Sequence, residues 1–221
     1  MLENFLREVI SIVVGKNSEQ VAELLNSKKH VNEFIIAKKL GITINQARNI
    51  LYKLSDFGLV SSIRKKDKKK GWYTYFWRLE ILKSLEFLRE EKLKRISQIN
   101  NQVKNRETKE FYICNRCNIE LNEETALLYD FTCNECGEIF SRKDNTKILK
   151  DLKKSLEKLS SELVLINQEI DKEKEKFEKI RIKQDKKEKI EKAAKRAKAK
   201  KIKMKMKKPV QKKSAKKSKK K

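Results

Sequence analysis

Apolar positions recur along the chain with two periods. From Leu2 to Val14 they fall at 2, 5, 6, 9, 10, 12, 13 and 14, one face of a helix that ends at Gly15. Asn17 and Ser18 are cap candidates for a second helix, whose apolar face is Val21, Leu24 and Leu25. Asn32 is placed to cap a short third helix with Phe34, Ile35 and Ile36, closing at Leu40-Gly41. Thr43-x-x-Gln46 reads as a capping box. It opens a fourth helix with Ile44, Ala47, Leu51, Leu54 and Phe57 on one face, ending at Gly58. The period then shortens. Leu59 to Ile63 is a strand-like run, Arg64 to Gly71 a charged turn, and Trp72 to Trp77 a second strand dense in aromatics. Helices followed by a hairpin in this order predict a winged helix-turn-helix. The fourth helix takes the recognition position and the basic turn is the wing.

The hairpin carries aromatics on both sides. Trp72, Thr74 and Phe76 alternate with Tyr73, Tyr75 and Trp77. One side covers the core, so the other is surplus apolar surface. A partner site and coverage by the next helix are the two readings. That next helix is expected over Leu79 to about Arg106, with Leu82, Leu85, Ile96, Ile99 and Val103 in heptad positions, interrupted by Arg89 and Lys92. From Leu149 a regular seam appears at 149, 152, 156, 159, 163, 166, 170, 177 and 180, broken only by Glu173. This is the spacing of a coiled coil. After about Ile190 the apolar positions stop, and the remainder is expected to be disordered.

Between the two seams lie all four cysteines, as Cys114-x2-Cys117 and Cys133-x2-Cys136. Four thiolates at this spacing converge on one tetrahedral Zn²⁺, with iron as the alternative ion. Asn118 and Gly137 follow the second cysteine of each pair, where a knuckle turn favours residues tolerant of positive φ. Phe111 to Ile113, Leu127 to Thr132 and Glu138 to Phe140 read as short strands, giving a zinc ribbon. Four thiolates leave no open metal position, so the expected site is structural and not catalytic. The helices flanking the ribbon are expected to pair antiparallel, carrying it at one end. The competing arrangements are a parallel homodimer through 149–180 and pairing with another subunit.

Composition sharpens the picture of partners. The chain has 221 residues, 40% of them charged, with five Gly and one Pro, which favours long helices. Of its net charge of +26, the stretch from Glu191 to Lys221 holds +16. Nucleic acid is the natural partner for this balance, and an anionic membrane surface the second. The tail is read as a phosphate-neutralising arm or as a solubilising extension. Neither a targeting segment nor a membrane-length apolar run is visible, so a reducing, cytoplasmic and nucleoid-associated setting is expected. The lone His30 reads as a solvated loop residue, and no phosphate loop or nucleophile constellation points to an enzyme.

The combined motifs resemble the archaeal transcription factor E family, counterpart of the TFIIE α subunit. The resemblance rests on Asn45-Gln46-Ala47-Arg48-Asn49-Ile50-Leu51-Tyr52-Lys53-Leu54, on Gly71-Trp72-Tyr73-Thr74-Tyr75-Phe76-Trp77-Arg78-Leu79, and on the two cysteine pairs with Gly137. It covers roughly residues 2 to 145. It implies a general initiation factor that binds the RNA polymerase clamp and helps DNA opening and open-complex stability, alongside TATA-binding protein and transcription factor B at promoter DNA. A β subunit is a further partner of this family. In that light Tyr73, Tyr75 and Trp77 are candidates for polymerase docking. Arg64, Lys65, Lys66, Lys68, Lys69 and Lys70 of the wing are candidates for phosphate contact, and so are Arg48 and Lys53 of the fourth helix. The alternative is a winged-helix DNA-binding regulator that dimerises through its coiled coil. The expected organisation is mostly α: a winged-helix domain (1–80), a linker helix (81–108), a zinc ribbon (109–145), a coiled-coil helix (146–190) and a disordered lysine-rich tail (191–221).

Overall fold

The computed structural model describes residues 1–15, 18–27, 29–66 and 71–206, with side chains as far as Ala193. The chain divides into two units, Met1–Glu173 and Lys174–Lys221.

The first unit opens with four helices, α1 (Leu2–Val13), α2 (Gln20–Leu25), α3 (Glu33–Leu40) and α4 (Ile44–Asp56). Their limits follow local chemistry. The Asn32 side chain accepts from the Phe34 N–H, and α3 ends on Gly41 in the left-handed region (φ 64°). Only a residue without a β-carbon adopts that conformation freely. At α4 the capping box is complete: the Gln46 N–H donates to Thr43 Oγ1 at 3.2 Å, and the Thr43 N–H donates to Gln46 Oε1 at 2.9 Å. Asn17 lies outside the described residues, and α2 starts after Glu19 with no side-chain cap.

A short strand β1 (Val31–Asn32) and the hairpin strands β2 (Val60–Lys66) and β3 (Tyr73–Leu79) form an antiparallel sheet in the order β1-β3-β2. Its register pairs Ser62 with Trp77 and Lys66 with Tyr73. Alternation along β3 sends Trp77 and Leu79 inward, each 3% exposed. They join Leu6, Ile10, Leu25, Ile36, Leu51 and Leu54 in one core. Each such side chain contributes about 1.5–3 kcal/mol by leaving water.

Helix α5 (Ile81–Thr108) leaves the sheet and adds Leu85 and Leu88 to that core. After the cysteine segment, α7 (Thr146–Met206) returns along α5. The pairing is antiparallel, as the seams predict. Lys92 meets Glu162 at 2.7 Å, Lys153 meets Glu107 at 2.7 Å, and Arg106 bonds Asn145 at 3.0 Å, so positions rise on one helix as they fall on the other. Ile166 and Ile170 of α7 enter the main core. Lys92, which breaks the α5 seam in sequence, is 12% exposed and also reaches Glu8 of α1 at 2.6 Å. Burial by itself lowers its pKa, but the two carboxylates more than compensate, and the net shift is upward.

In the second unit, the side chains of α7 from Lys174 to Ala193 are all exposed, including Phe177 and Ile180 of the expected seam. The helix continues to Met206, beyond the point near Ile190 where the regular apolar spacing stops. This departs from the disorder expected from residue 191 as far as Met206, while residues 207–221 lie outside the described residues. Ala, Lys, Arg and Met are all strong helix formers, which favours a helix through this segment.

Candidate functional site

Two regions of the first unit carry candidate chemistry. The first is the cysteine segment. It consists of β4 (Phe111–Ile113), β5 (Glu120–Asn122), a short helix α6 (Glu123–Leu128) and β6 (Ser141–Arg142), with sheet order β5-β4-β6. The four Sγ atoms of Cys114, Cys117, Cys133 and Cys136 all lie within 4.8 Å of one another. A tetrahedral Zn²⁺ with Zn–S of about 2.3 Å requires S···S of about 3.8 Å, so the cluster matches that ion with small adjustment. Two equivalent turns present the thiols. The Asn118 N–H donates to the Cys114 carbonyl at 2.8 Å, and the Gly137 N–H to the Cys133 carbonyl at 2.7 Å. Asn118 (φ 56°) and Gly137 (φ 72°) occupy the left-handed region as the spacing predicts.

The thiols perturb one another. Hydrogen bonding to Cys136 and burial push the Cys117 thiol up to about 12. At Cys133, burial acts upward but N–H groups of Glu135 and Cys136 prevail, and the thiol titrates at about 7. Four sulfurs this close do not all ionise without a cation among them. A divalent ion held by all four thiolates would have no position left for substrate, so its role here would be structural.

The stretch Leu127 to Thr132 is not a strand. Asn122 caps α6 by accepting from the Thr125 N–H at 2.9 Å, and Glu123 and Glu124 sit in its first turn, where the helix dipole favours acids. The helix ends in a turn with Asp130 (φ 47°) and Phe131 (φ 54°) both left-handed. Asn122-x-x-Thr125 followed by no alternation was the legible signal for this helix. Of the predicted strand at Glu138 to Phe140, one bridge forms, between Thr132 and Ile139.

The second region is the hairpin with α4. Trp72 is 74% and Tyr73 50% exposed, Tyr75 is half-buried, and Trp77 is in the core. This corrects the expectation that Tyr73, Tyr75 and Trp77 share an open face. Trp77 packs edge-on against Tyr52, ring centres 5.9 Å apart. The open aromatics of the hairpin are Trp72 and Tyr73, with Phe76 partly covered. The cations of β2 lie over them: Arg64 is 5.1 Å from the Tyr73 ring centre and Lys65 4.9 Å from that of Phe76. Arg64, Lys65 and Lys66 are exposed, as is Lys53. Lys68, Lys69 and Lys70 lie outside the described residues.

Arg48 does something the sequence does not reveal. Its Nη2 and Nε donate to the two carboxylate oxygens of Glu33 at 2.7 and 3.2 Å. Glu33 is 1% exposed. This fork neutralises a carboxylate buried at the start of α3, and the hydrogen bond to Glu33 raises the Arg48 pKa. Arg48 is therefore committed inside the fold, which corrects its placement among free phosphate contacts.

A mostly helical chain, with a four-cysteine cluster that could hold a metal ion and a basic aromatic hairpin, has the features of a binding protein. The TFIIE α-subunit family model matches residues 4–109. Transcription factor E of Thermococcus kodakarensis is 32% identical over 161 residues, 72% of this chain and 87% of that protein. Transcription factor E of Methanocaldococcus jannaschii is 34% identical over 145 residues, covering 65% and 83% of the two chains. That of Metallosphaera sedula is 26% identical over 163 residues, or 73% and 93%. The chain belongs to the transcription factor E family, a family of transcription factors and not of enzymes. Among the described residues no helix is long and apolar enough to cross a membrane.

Proposed function

We propose that this chain is a general transcription initiation factor, which binds RNA polymerase at the promoter and assists DNA opening and open-complex stability. The observation that carries the reading is the hairpin: Trp72 and Tyr73 stand open to solvent beside Arg64, Lys65 and Lys66, on a chain of the transcription factor E family. Open aromatics desolvate well against a protein surface. The adjacent cations attract phosphates without reading bases. On this reading α1–α4 with β1–β3 form a winged helix, with α4 in the recognition position and β2–β3 as the wing. The cysteine segment is a zinc ribbon holding one structural Zn²⁺. The partners are the polymerase clamp, TATA-binding protein, transcription factor B and promoter DNA, with a β subunit as a further candidate, in a cytoplasmic, nucleoid-associated setting.

The docking set follows exposure: Trp72 and Tyr73 replace Trp77, with Tyr75 at the margin. Lys53, Arg64, Lys65 and Lys66 remain nucleic-acid contacts, with Lys68, Lys69 and Lys70 of the turn between the strands. The alternative, a regulator dimerising through its coiled coil, is disfavoured by the seam itself. Ile166 and Ile170 are buried in the chain's own core, so a dimer through 149–170 must first open the monomer.

Capture of RNA polymerase by the wild-type chain is compared with that by Trp72→Ala/Tyr73→Ala. The double variant is expected to lose most capture while its Tm stays within a few degrees of wild type. Failure of the wild type to bind polymerase would sink the proposal.

A further inference from the structure

The second unit holds a charge that the first does not. Lys174–Lys221 contains 25 Lys and Arg against five Asp and Glu, a net +20 of the chain's +26. The first unit, with +6, is close to balanced for its size. The acids end at Glu191, and from Lys192 onward 17 Lys and Arg follow with none. The helical part of this unit is the C-terminal portion of α7, to Met206. Its side chains are exposed as far as they are described. The ion pairs Lys179–Glu175 at 3.4 Å and Lys192–Glu188 at 3.1 Å are surface pairs, which exchange readily with salt and water.

The density of this charge is informative. Lys186 to Met206 carries a net +9 over 21 helical residues. At about 1.5 Å per residue this is about one net positive charge every 3.5 Å. One strand of a DNA duplex places a phosphate about every 3.4 Å of axis. The arrangement does not suit a membrane surface. An interfacial helix gathers its apolar residues on one face. Here Ile182 falls about 140° around the axis from Phe177, and Ile190 about 80° further on. Only Ile180, about 60° from Phe177, shares its face, so the large apolar residues with described side chains in this unit do not gather into one stripe.

We infer that the C-terminal part of α7 is a sequence-independent arm for the phosphate backbone of duplex DNA. It acts by counterion release: each phosphate it neutralises frees condensed cations, so its affinity falls steeply with salt. The inference is separate from polymerase docking, which uses the hairpin of the first unit.

The test is made on the full-length chain carrying Lys198→Gln, Lys200→Gln, Lys201→Gln, Lys203→Gln and Lys205→Gln. Gln matches Lys in helix propensity, so circular dichroism should be unchanged. Binding to two DNA duplexes of unrelated sequence is measured as a function of salt. The slope of log K against log salt is expected to become shallower by up to about 4.5, at about 0.9 for each phosphate no longer neutralised, and equally on both duplexes. An unchanged slope would overturn the inference, and so would a weakening confined to one sequence. Wild-type binding to phosphatidylserine vesicles that survives the salt that releases DNA would assign the arm to membranes instead and overturn it. The variant is expected to capture polymerase as the wild type does, so failure of the arm and failure of docking are read separately.

Discussion

Removing the guanidinium of Arg48 distinguishes a residue that holds the fold from one that touches DNA. In the wild type, Arg48 forks onto Glu33 at 2.7 and 3.2 Å, and Glu33 is 1% exposed. Arg48→Ala leaves that carboxylate buried without a countercharge. Breaking a buried pair from one side costs about 3–5 kcal/mol. The Arg48 side chain is itself 36% exposed, so water reaches part of the pair and a loss somewhat below that range, about 2–3 kcal/mol, is expected. For a unit of this size each kcal/mol moves Tm by about 2–4 °C, giving a fall of about 4–12 °C by thermal unfolding. Glu33→Gln added to Arg48→Ala should recover a large part of the loss, because a buried amide costs far less than a buried charge. Arg48→Lys should recover little, since an ammonium cannot form the fork. An Arg48→Ala protein with wild-type Tm but weakened DNA binding would refute the structural role and return Arg48 to the nucleic-acid surface.

Other perturbations discriminate elsewhere. Trp77→Ala should cost about 3–5 kcal/mol in denaturant unfolding, whereas Trp72→Ala should stay within about 0.5 kcal/mol, since only the first is in the core. Cys133→Ser, or a strong chelator, should abolish metal content and expose residues 110–142 to protease while the far-ultraviolet helix signal persists; cleavage as slow as in the wild type would argue against a metal-dependent segment. At Glu120, burial acts to raise the carboxyl pKa but Lys143 and Arg106 prevail and hold it below the usual range. The stability it contributes is therefore full above the ordinary carboxylate value near 4.5 and lost as pH falls through the lower folded value. Glu120→Gln should flatten that acid limb, as read by unfolding between pH 5 and about pH 3.

Much of the architecture is legible because local signals agree with packing. The capping box at Thr43, the left-handed Gly41 and the cysteine turns at Asn118 and Gly137 all depend on a few adjacent residues. The antiparallel pairing of α5 with α7 is legible for another reason, since two seams joined by a compact segment have few ways to meet. What escapes is set at a distance. Nothing near Arg48 announces Glu33, fifteen positions away and on another helix. Lys92 reads as a break in a seam, because its carboxylate partners come from both ends of the unit. The facing of the hairpin escapes too. Alternation divides its aromatics into two sets, but the packing of the helices covers Trp77 and leaves Tyr73 of the same set half exposed. Helix α6 was hidden by Leu127, Leu128 and Tyr129, which suit a strand in composition but stand 44–80% exposed on a short helix and its cap.

The junction of Arg106 and Asn145 has a consequence beyond stability. Arg106 donates to Asn145 Oδ1 at 3.0 Å, and the Asn145 amide donates back to the Arg106 carbonyl at 3.2 Å. The backbone thus leaves α5 and enters α7 at nearly the same place, and the whole cysteine segment hangs on two adjoining attachment points. Its own small core of Cys114, Cys133 and Phe140 is separate from the main one. A module held in this way is interchangeable. A short helix–helix turn could close the same gap, or a foreign domain with neighbouring termini could fill it, and the helical hairpin beneath would lose chiefly the contacts of Arg106 with Glu120 and Phe111.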